Sequence, residues 1–211
     1  MFEVRWRREG SHSLPVLVWR LPTPMRSIST SACGGGTGMR RWVVNAQVPP
    51  GYARRDPEHH LTKLAVSLGL PGRGNGMLTA ADVRNYQSRL EDGVEVVATV
   101  GIGRPILAAH RGDEAPTPEA AGCRAGTINV VALLPERLSD AALVNAVVTA
   151  TEAKVQALRD AAIGGTGTAT DALCILCPDE GTAAPFGGPR SPWGARLARA
   201  VHAAVVAGAR A

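Results

Sequence analysis

At 211 residues, 45% of them hydrophobic and 19% charged, the chain has the size and mix of one globular domain with its own core, residues 1–211. Its net charge of +5 rests on arginines scattered in ones and twos, with only Lys63 and Lys154 as lysines and aromatics at 4%; nucleic-acid binding requires a basic stripe with stacking platforms instead. No apolar run is long enough to span a bilayer and Met1-Phe2-Glu3-Val4-Arg5-Trp6 lacks a signal-peptide core, so a cytoplasmic protein free of membrane is expected, with Cys33, Cys123, Cys174 and Cys177 as free thiols.

Residues 1–8 and 15–21 are strand-like runs about Glu9-Gly10-Ser11, a hairpin across which Trp6 and Trp19 are placed to pack. Residues 25–32 continue as a strand into the glycines of 34–38. That stretch is not a phosphate-binding loop, because no Gly-Lys-Ser/Thr follows. Residues 41–48 form the next strand, closed by Pro49-Pro50-Gly51. Asp56-Pro57-Glu58 opens a helix with a capping Asp, Pro at the first position and an acid in the first turn; Leu61, Leu64, Ala65 and Leu68 make its buried stripe. Its adjacent His59 and His60 diverge by about 100° and cannot share a metal ion.

Residues 72–76 read as a flexible lead into Met77-Leu78-Thr79-Ala80-Ala81. Residues 83–90 and 94–101 then suggest two strands joined at Glu91-Asp92-Gly93. Residues 101–118 and 178–188 are long polar loops, each either a lid over the site or merely mobile. The last helix starts at Ser191-Pro192 and buries Leu197, Val201, Ala204 and Val205.

Between those loops lies a strand-helix-strand unit, residues 126–177. Its two strands are apolar and rich in β-branched residues, as buried parallel strands are. Val144, Val148, Thr151, Val155 and Leu158 recur at helical intervals and predict the buried face of the helix, with Ser139 as its cap and Gly164 as its end. Glu152 and Lys154 flank that stripe on opposite borders, either facing a cleft or as the charged edges of an amphipathic helix. Thr127 and Asn129 share one strand face, and the 165–171 loop offers three Thr hydroxyls and Asp171. A pocket of this kind suits a neutral, amide-rich ligand. Cys174 and Cys177 match C-x-x-C, but three residues apart on a strand they point to opposite faces and form neither chelate nor disulfide. The fold class expected is α+β, one domain with mixed sheet packed against about three helices.

Gly126-Thr127-Ile128-Asn129, Thr149-Ala150-Thr151-Glu152-Ala153-Lys154 and Thr166-Gly167-Thr168-Ala169-Thr170-Asp171, in this order and spacing, resemble the signature of the adenosylcobinamide amidohydrolase family. Ser29-Thr30-Ser31-Ala32 before Gly34-Gly35-Gly36, and Met77-Leu78-Thr79-Ala80-Ala81, are similar to further motifs of it. Two positions depart: Cys33 stands where the family often has Asn, and Ala169 where Gly is common. A positive φ at position 169 would strain Ala.

The resemblance implies an enzyme of corrinoid salvage that cuts the amide between a corrin propionate and aminopropanol, giving adenosylcobyric acid. Thr127, Glu152, Lys154 and Asp171 are then expected as catalytic residues. Ser31, Gly34, Gly35, Gly36, Thr79, Asn129, Thr166, Thr168 and Thr170 are expected to bind substrate. Either Thr127 attacks directly, or water attacks with Glu152 or Asp171 as base. Gly126-Thr127 more weakly resembles the processing site of self-cleaving aminopeptidase and ornithine acetyltransferase families, where Thr becomes an N-terminal nucleophile. No cofactor and no protein-bound metal are expected, since H-x-H and H-E-x-x-H spacings are absent and the cobalt belongs to the substrate. The expected partners are the small-molecule corrinoid and, at most, further copies in a homo-oligomer. A corrinoid-binding protein without catalysis, or a self-processing amidohydrolase of another amide, are the alternatives.

Overall fold

The structure is a computed structural model that describes residues 2–110 and 126–211. Its elements run β1 (Phe2–Glu9), β2 (His12–Ser29), β3 (Gly36–Gln47), α1 (Pro57–Ser67), β4 (Gly74–Thr79), β5 (Gln87–Glu91), β6 (Val94–Val100), β7 (Ile128–Leu133), α2 (Asp140–Asp160), β8 (Ala172–Cys177) and α3 (Pro192–Ala209). This is the α+β class that the alternating strand patterns predict. One mixed sheet of eight strands has the order β4-β3-β2-β8-β7-β6-β5, with β1 paired on β2. The β3–β4 and β7–β8 pairs are parallel and the others antiparallel.

The long β2 is what lets the sheet coil. Its register on β3 shifts between Arg20 and Met25, so the first half pairs with β1 and the second with β8. A bulge of this kind raises local twist. Alternation then sorts the strand residues onto two faces. Leu17, Trp19, Val43, Met77, Val131 and Leu176 fill the inner face. The outer face takes α1 over Val16, Val18, Trp42 and Val44, and takes α2 and α3 over β6 to β8. Trp19 is 1% exposed, and burying an aromatic side chain this fully contributes about 1.5–3 kcal/mol. The coil brings Asn45 of β3 within 2.8 Å of Asn129 of β7, two strands that are not sheet neighbours.

Several local expectations are corrected here. Val144 and Val148 of α2 are 55% and 48% exposed, while Leu158 is buried as expected; the buried face is Ala142, Leu143, Ala146, Thr149, Ala150, Ala153, Ala157 and Leu158. Small side chains let the helix seat closely between sheet, α3 and the backbone of Gly187, and this close contact outweighs the larger area of the valines. Trp6 does not meet Trp19: it pairs with Pro15 and lies 54% exposed beneath Arg84, while Trp19 packs on Phe2. Asp56 precedes α1 without capping it, since both its oxygens accept from Arg54. Residues 72–76 are no flexible lead, because Gly74, Asn75 and Gly76 are buried in β4. Residues 83–85 form a 3-10 turn before β5, and β3 begins at Gly36 rather than at residue 41.

Ser139 and Ser191 cap α2 and α3 as their sequences predict, and the turn at Asp92-Gly93 joins β5 to β6. The 178–188 loop is pinned through Ala184 to residues 137 and 139 and through Gly187 to Thr149, which fits a fixed connection and not a lid. The segment of the 101–118 loop beyond residue 110, and Cys123, lie outside the described residues. Cys33, Cys174 and Cys177 are free and buried, the last two on opposite sheet faces. Burial pushes the Cys174 thiol up to about 11, so it is an inert core group. Among the described residues no helix is long and apolar enough to cross a membrane.

Candidate active site

Parallel pairing of β7 with β8 builds the site. The register sets Asn129 opposite Ala172, so the residues just before each strand, Thr127 and Thr170, fall side by side. Their hydroxyl oxygens are 2.6 Å apart. Helix α2 returns over this pair, and its C-terminal third brings Lys154 back to the end of the sheet where both strands begin. Gly126 sits against the backbone of Gly101 and Gly103, where a Cβ would collide. Only glycine lets the chain enter β7 there.

Asp171 ties the pieces together. Its Oδ1 accepts from the Ile128 amide at 2.9 Å and the Thr168 hydroxyl at 2.5 Å. Its Oδ2 accepts from Lys154 Nζ at 2.5 Å and the Thr168 amide at 3.1 Å. A carboxylate offers about four acceptor positions, and here four donors occupy them. Gly167 lies against both Asp171 Oδ2 and Lys154 Nζ, which leaves no room for a side chain. Ala169 does not have a positive φ, so its departure from the family's Gly adds no backbone strain.

Beside this node opens a cleft of about 400 Å³, where the C-terminal end of β4 meets the starts of β7 and β8. Thr30, Thr79, Thr127 and Thr170 supply its hydroxyls, and Tyr52 and Arg54 its remaining polar groups. Arg54 is paired bidentately with Asp56 and holds that carboxyl down to about 2. The cation of the cleft is thereby matched by an anion. Lys154 and Asp171 line a separate hollow of about 190 Å³ under α2. Among the described residues no three His, Cys, Asp or Glu side chains group as metal ligands.

The structure thus gathers Lys154, Thr168 and Asp171 into one hydrogen-bonded node and sets the Thr127–Thr170 hydroxyl pair next to it in the chain, with Thr79 on the same cleft as that pair. Thr166 accepts from the Ala108 amide at 2.9 Å and ties the site loop to residues 106–108. Asn129 is 1% exposed and donates to Asn45 and to the Leu78 carbonyl, supporting the cleft from behind. Ser31 is buried against Ser29, 2.5 Å between hydroxyls, and Gly34, Gly35 and Gly36 lie off the cleft. Gly34 presents its carbonyl to Asn75 and Arg40 as a structural joint.

Glu152 stands apart. It is exposed, beside Gln156, Arg199 and His202 in the groove between α2 and α3. The expected border position depended on the valine stripe facing inward, and the alanine face turns Glu152 away. Glu152→Gln is therefore expected to change kcat/KM by less than about twofold, measured by steady-state turnover; a large loss would return Glu152 to the mechanism.

Tyr52, Arg54 and Thr30 were not among the expected site residues. Tyr52 is one of only two tyrosines and follows Pro49-Pro50-Gly51, a rigid lead that positions an aromatic ring at a loop edge. That lead was the available signal.

Comparison with known proteins gives the chain a family. The family model for adenosylcobinamide amidohydrolase matches residues 3–211. A protein of Halobacterium salinarum named adenosylcobinamide amidohydrolase is 32% identical over 182 residues, covering 85% of this chain and 78% of its own. One of the same name from Methanosarcina mazei is 28% identical over 188 residues, covering 85% and 88%. The crystal structure of the PH0078 protein from Pyrococcus horikoshii OT3 superposes with a TM-score of 0.49 at 11% identity, over 98% of this chain and 82% of that one. With a family match over nearly its whole length and a relative 32% identical over most of both chains, the chain belongs to the adenosylcobinamide amidohydrolase family of amide-hydrolysing enzymes.

Proposed function

We propose that the protein hydrolyses the amide linking the corrin propionate to aminopropanol in adenosylcobinamide, yielding adenosylcobyric acid for cobalamin salvage. The observation that carries this is the Thr127–Thr170 hydroxyl pair on the wall of a charge-balanced cleft. A cleft of that volume takes the amide-bearing side arm and leaves the macrocycle outside. Its hydroxyls and main-chain groups suit a neutral amide better than an ion.

In this reading Thr127 Oγ1 attacks the scissile carbonyl, with Thr170 fixing its rotamer. The C–N bond breaks, aminopropanol leaves, and water then hydrolyses the acyl ester to the free carboxylate. Asp171 and Lys154 hold the 166–171 loop and the start of β7 in register with each other. They act by position, since their polar atoms already face one another and the loop amides.

The test is incubation of purified protein with adenosylcobinamide and mass-spectrometric detection of aminopropanol, which is expected to accumulate catalytically. A change in the corrinoid visible spectrum without aminopropanol would make this a corrinoid-binding protein. The absence of both signals would overturn the reading altogether.

A further inference from the structure

A hydroxyl nucleophile needs a group to take its proton. Among the described residues the surroundings of Thr127 offer none: Asp171 is saturated by four donors, Lys154 is bound to it, and Glu152 faces away. The same cleft carries a candidate elsewhere on its lining. Tyr52 Oη lies 2.8 Å from His60 Nδ1, with the two rings stacked at 5.6 Å and 24°. His60 Nε2 lies 3.3 Å from Glu9 Oε2, and Arg7 Nη2 holds that same oxygen at 2.8 Å.

Hydroxyl, imidazole and carboxylate therefore stand in series, from Tyr52 on the cleft through buried His60 to half-buried Glu9. That order is the one by which an imidazole draws a proton from a hydroxyl while a carboxylate steadies the resulting cation. Two regions distant in sequence supply it: β1, with Glu9, and the loop running into α1, with Tyr52 and His60. His60 is buried, which holds its imidazole below the ordinary range; Arg54 and Arg7 push the same way and Glu9 opposes them. Neutral His60 donating Nε2–H to Glu9 leaves Nδ1 as the acceptor for Tyr52.

We propose that Tyr52, His60 and Glu9 are the proton relay of this hydrolysis, an inference that rests on the amide-cleaving reading above. As Thr127 Oγ1 bonds to the carbonyl carbon, its proton passes through a water in the cleft to Tyr52 Oη, and the Tyr52 proton moves to His60 Nδ1. As the C–N bond breaks, the same proton returns by the reverse path to the departing nitrogen. Water attacking the ester repeats the cycle, so the enzyme ends in the protonation state in which it began. Tyr52 is the catalytic residue at the cleft; His60 and Glu9 act through it.

The experiment is aminopropanol release by wild type, Tyr52→Phe, His60→Gln and Glu9→Gln, with kcat and KM measured between about pH 5 and about pH 8. Wild-type kcat is expected to hold at neutral pH and fall on the acid side, as His60 takes its proton. Tyr52→Phe keeps the ring stack and removes only the hydroxyl; kcat should drop at least about tenfold with little change in KM. His60→Gln should drop similarly and lose the acid limb. Glu9→Gln should move that limb to lower pH, since Glu9 is the group that raises the His60 affinity for protons. Wild-type kcat and pH profile in Tyr52→Phe would overturn the relay, and that variant decides the matter alone if His60→Gln does not fold. A wild type that releases no aminopropanol would instead overturn the amide-cleaving reading itself.

Discussion

Asp171→Asn is expected to lower turnover at least about a hundredfold and to destabilise the protein by about 2 kcal/mol. The reason is donor counting. Oδ1 accepts from the Ile128 amide and the Thr168 hydroxyl, and Oδ2 from Lys154 and the Thr168 amide. An asparagine must turn its NH₂ toward one of those oxygens' partners. Facing Oδ2's partners it meets an ammonium and an N–H, and facing Oδ1's it meets the Ile128 N–H. Either orientation sets donor against donor, and the Lys154 charge loses its counter-ion in a site only 13–15% exposed. The loop then releases Thr170 from its place beside Thr127. Steady-state kinetics and a denaturant midpoint check both parts, and a variant with wild-type kcat and midpoint would show that the node is dispensable. Gly167→Ala should give a similar defect by a different route, pressing a methyl between Asp171 and Lys154.

Thr127→Ala is expected to lose at least about a hundredfold in kcat while its stability changes by about 1 kcal/mol or less. Thr127 is buried, but among the described residues its hydroxyl bonds to the Thr170 hydroxyl alone, whose own rotor can find another partner. The fold therefore needs this oxygen far less than the chemistry does. Thr127→Ser keeps the oxygen and should retain measurable turnover. If Thr127→Ala turned over like wild type, attack by Thr127 would be excluded and water would be the nucleophile. The intact mass is informative for the same residue. A single species at 21.9 kDa is expected, whereas two fragments meeting between Gly126 and Thr127 would hand the proton-accepting role to a new terminal amine.

Much of this protein can be read one segment at a time. The caps at Ser139 and Ser191, the tight turn at Asp92-Gly93, and the two apolar runs that became β7 and β8 are each decided by residues within a few positions of one another. The Thr127–Thr170 pairing also follows closely from sequence, because a parallel strand-helix-strand unit sets the starts of its two strands side by side. The helix face is where the reading by segment went wrong. The valines were expected to face inward, with Glu152 at their border, but period tells which residues share a face and not which face is covered. The alanine face packed inward because α3, the sheet and the Gly187 backbone approach it from three sides, and none of those neighbours is encoded within α2.

The amino-acid order by itself determined the α+β class, the family motifs and the starts of α2 and α3 at Ser139 and Ser191, because each is a property of short-range spacing. Only the tertiary structure decided that α2 ends at Asp160 and not at Gly164, that Asp171 is saturated, that Glu152 lies in the α2–α3 groove, and that Tyr52, His60 and Glu9 stand in line beside the cleft. Those outcomes depend on how a bulged, coiling sheet brings distant segments together, and that geometry is set by the packing of the whole core.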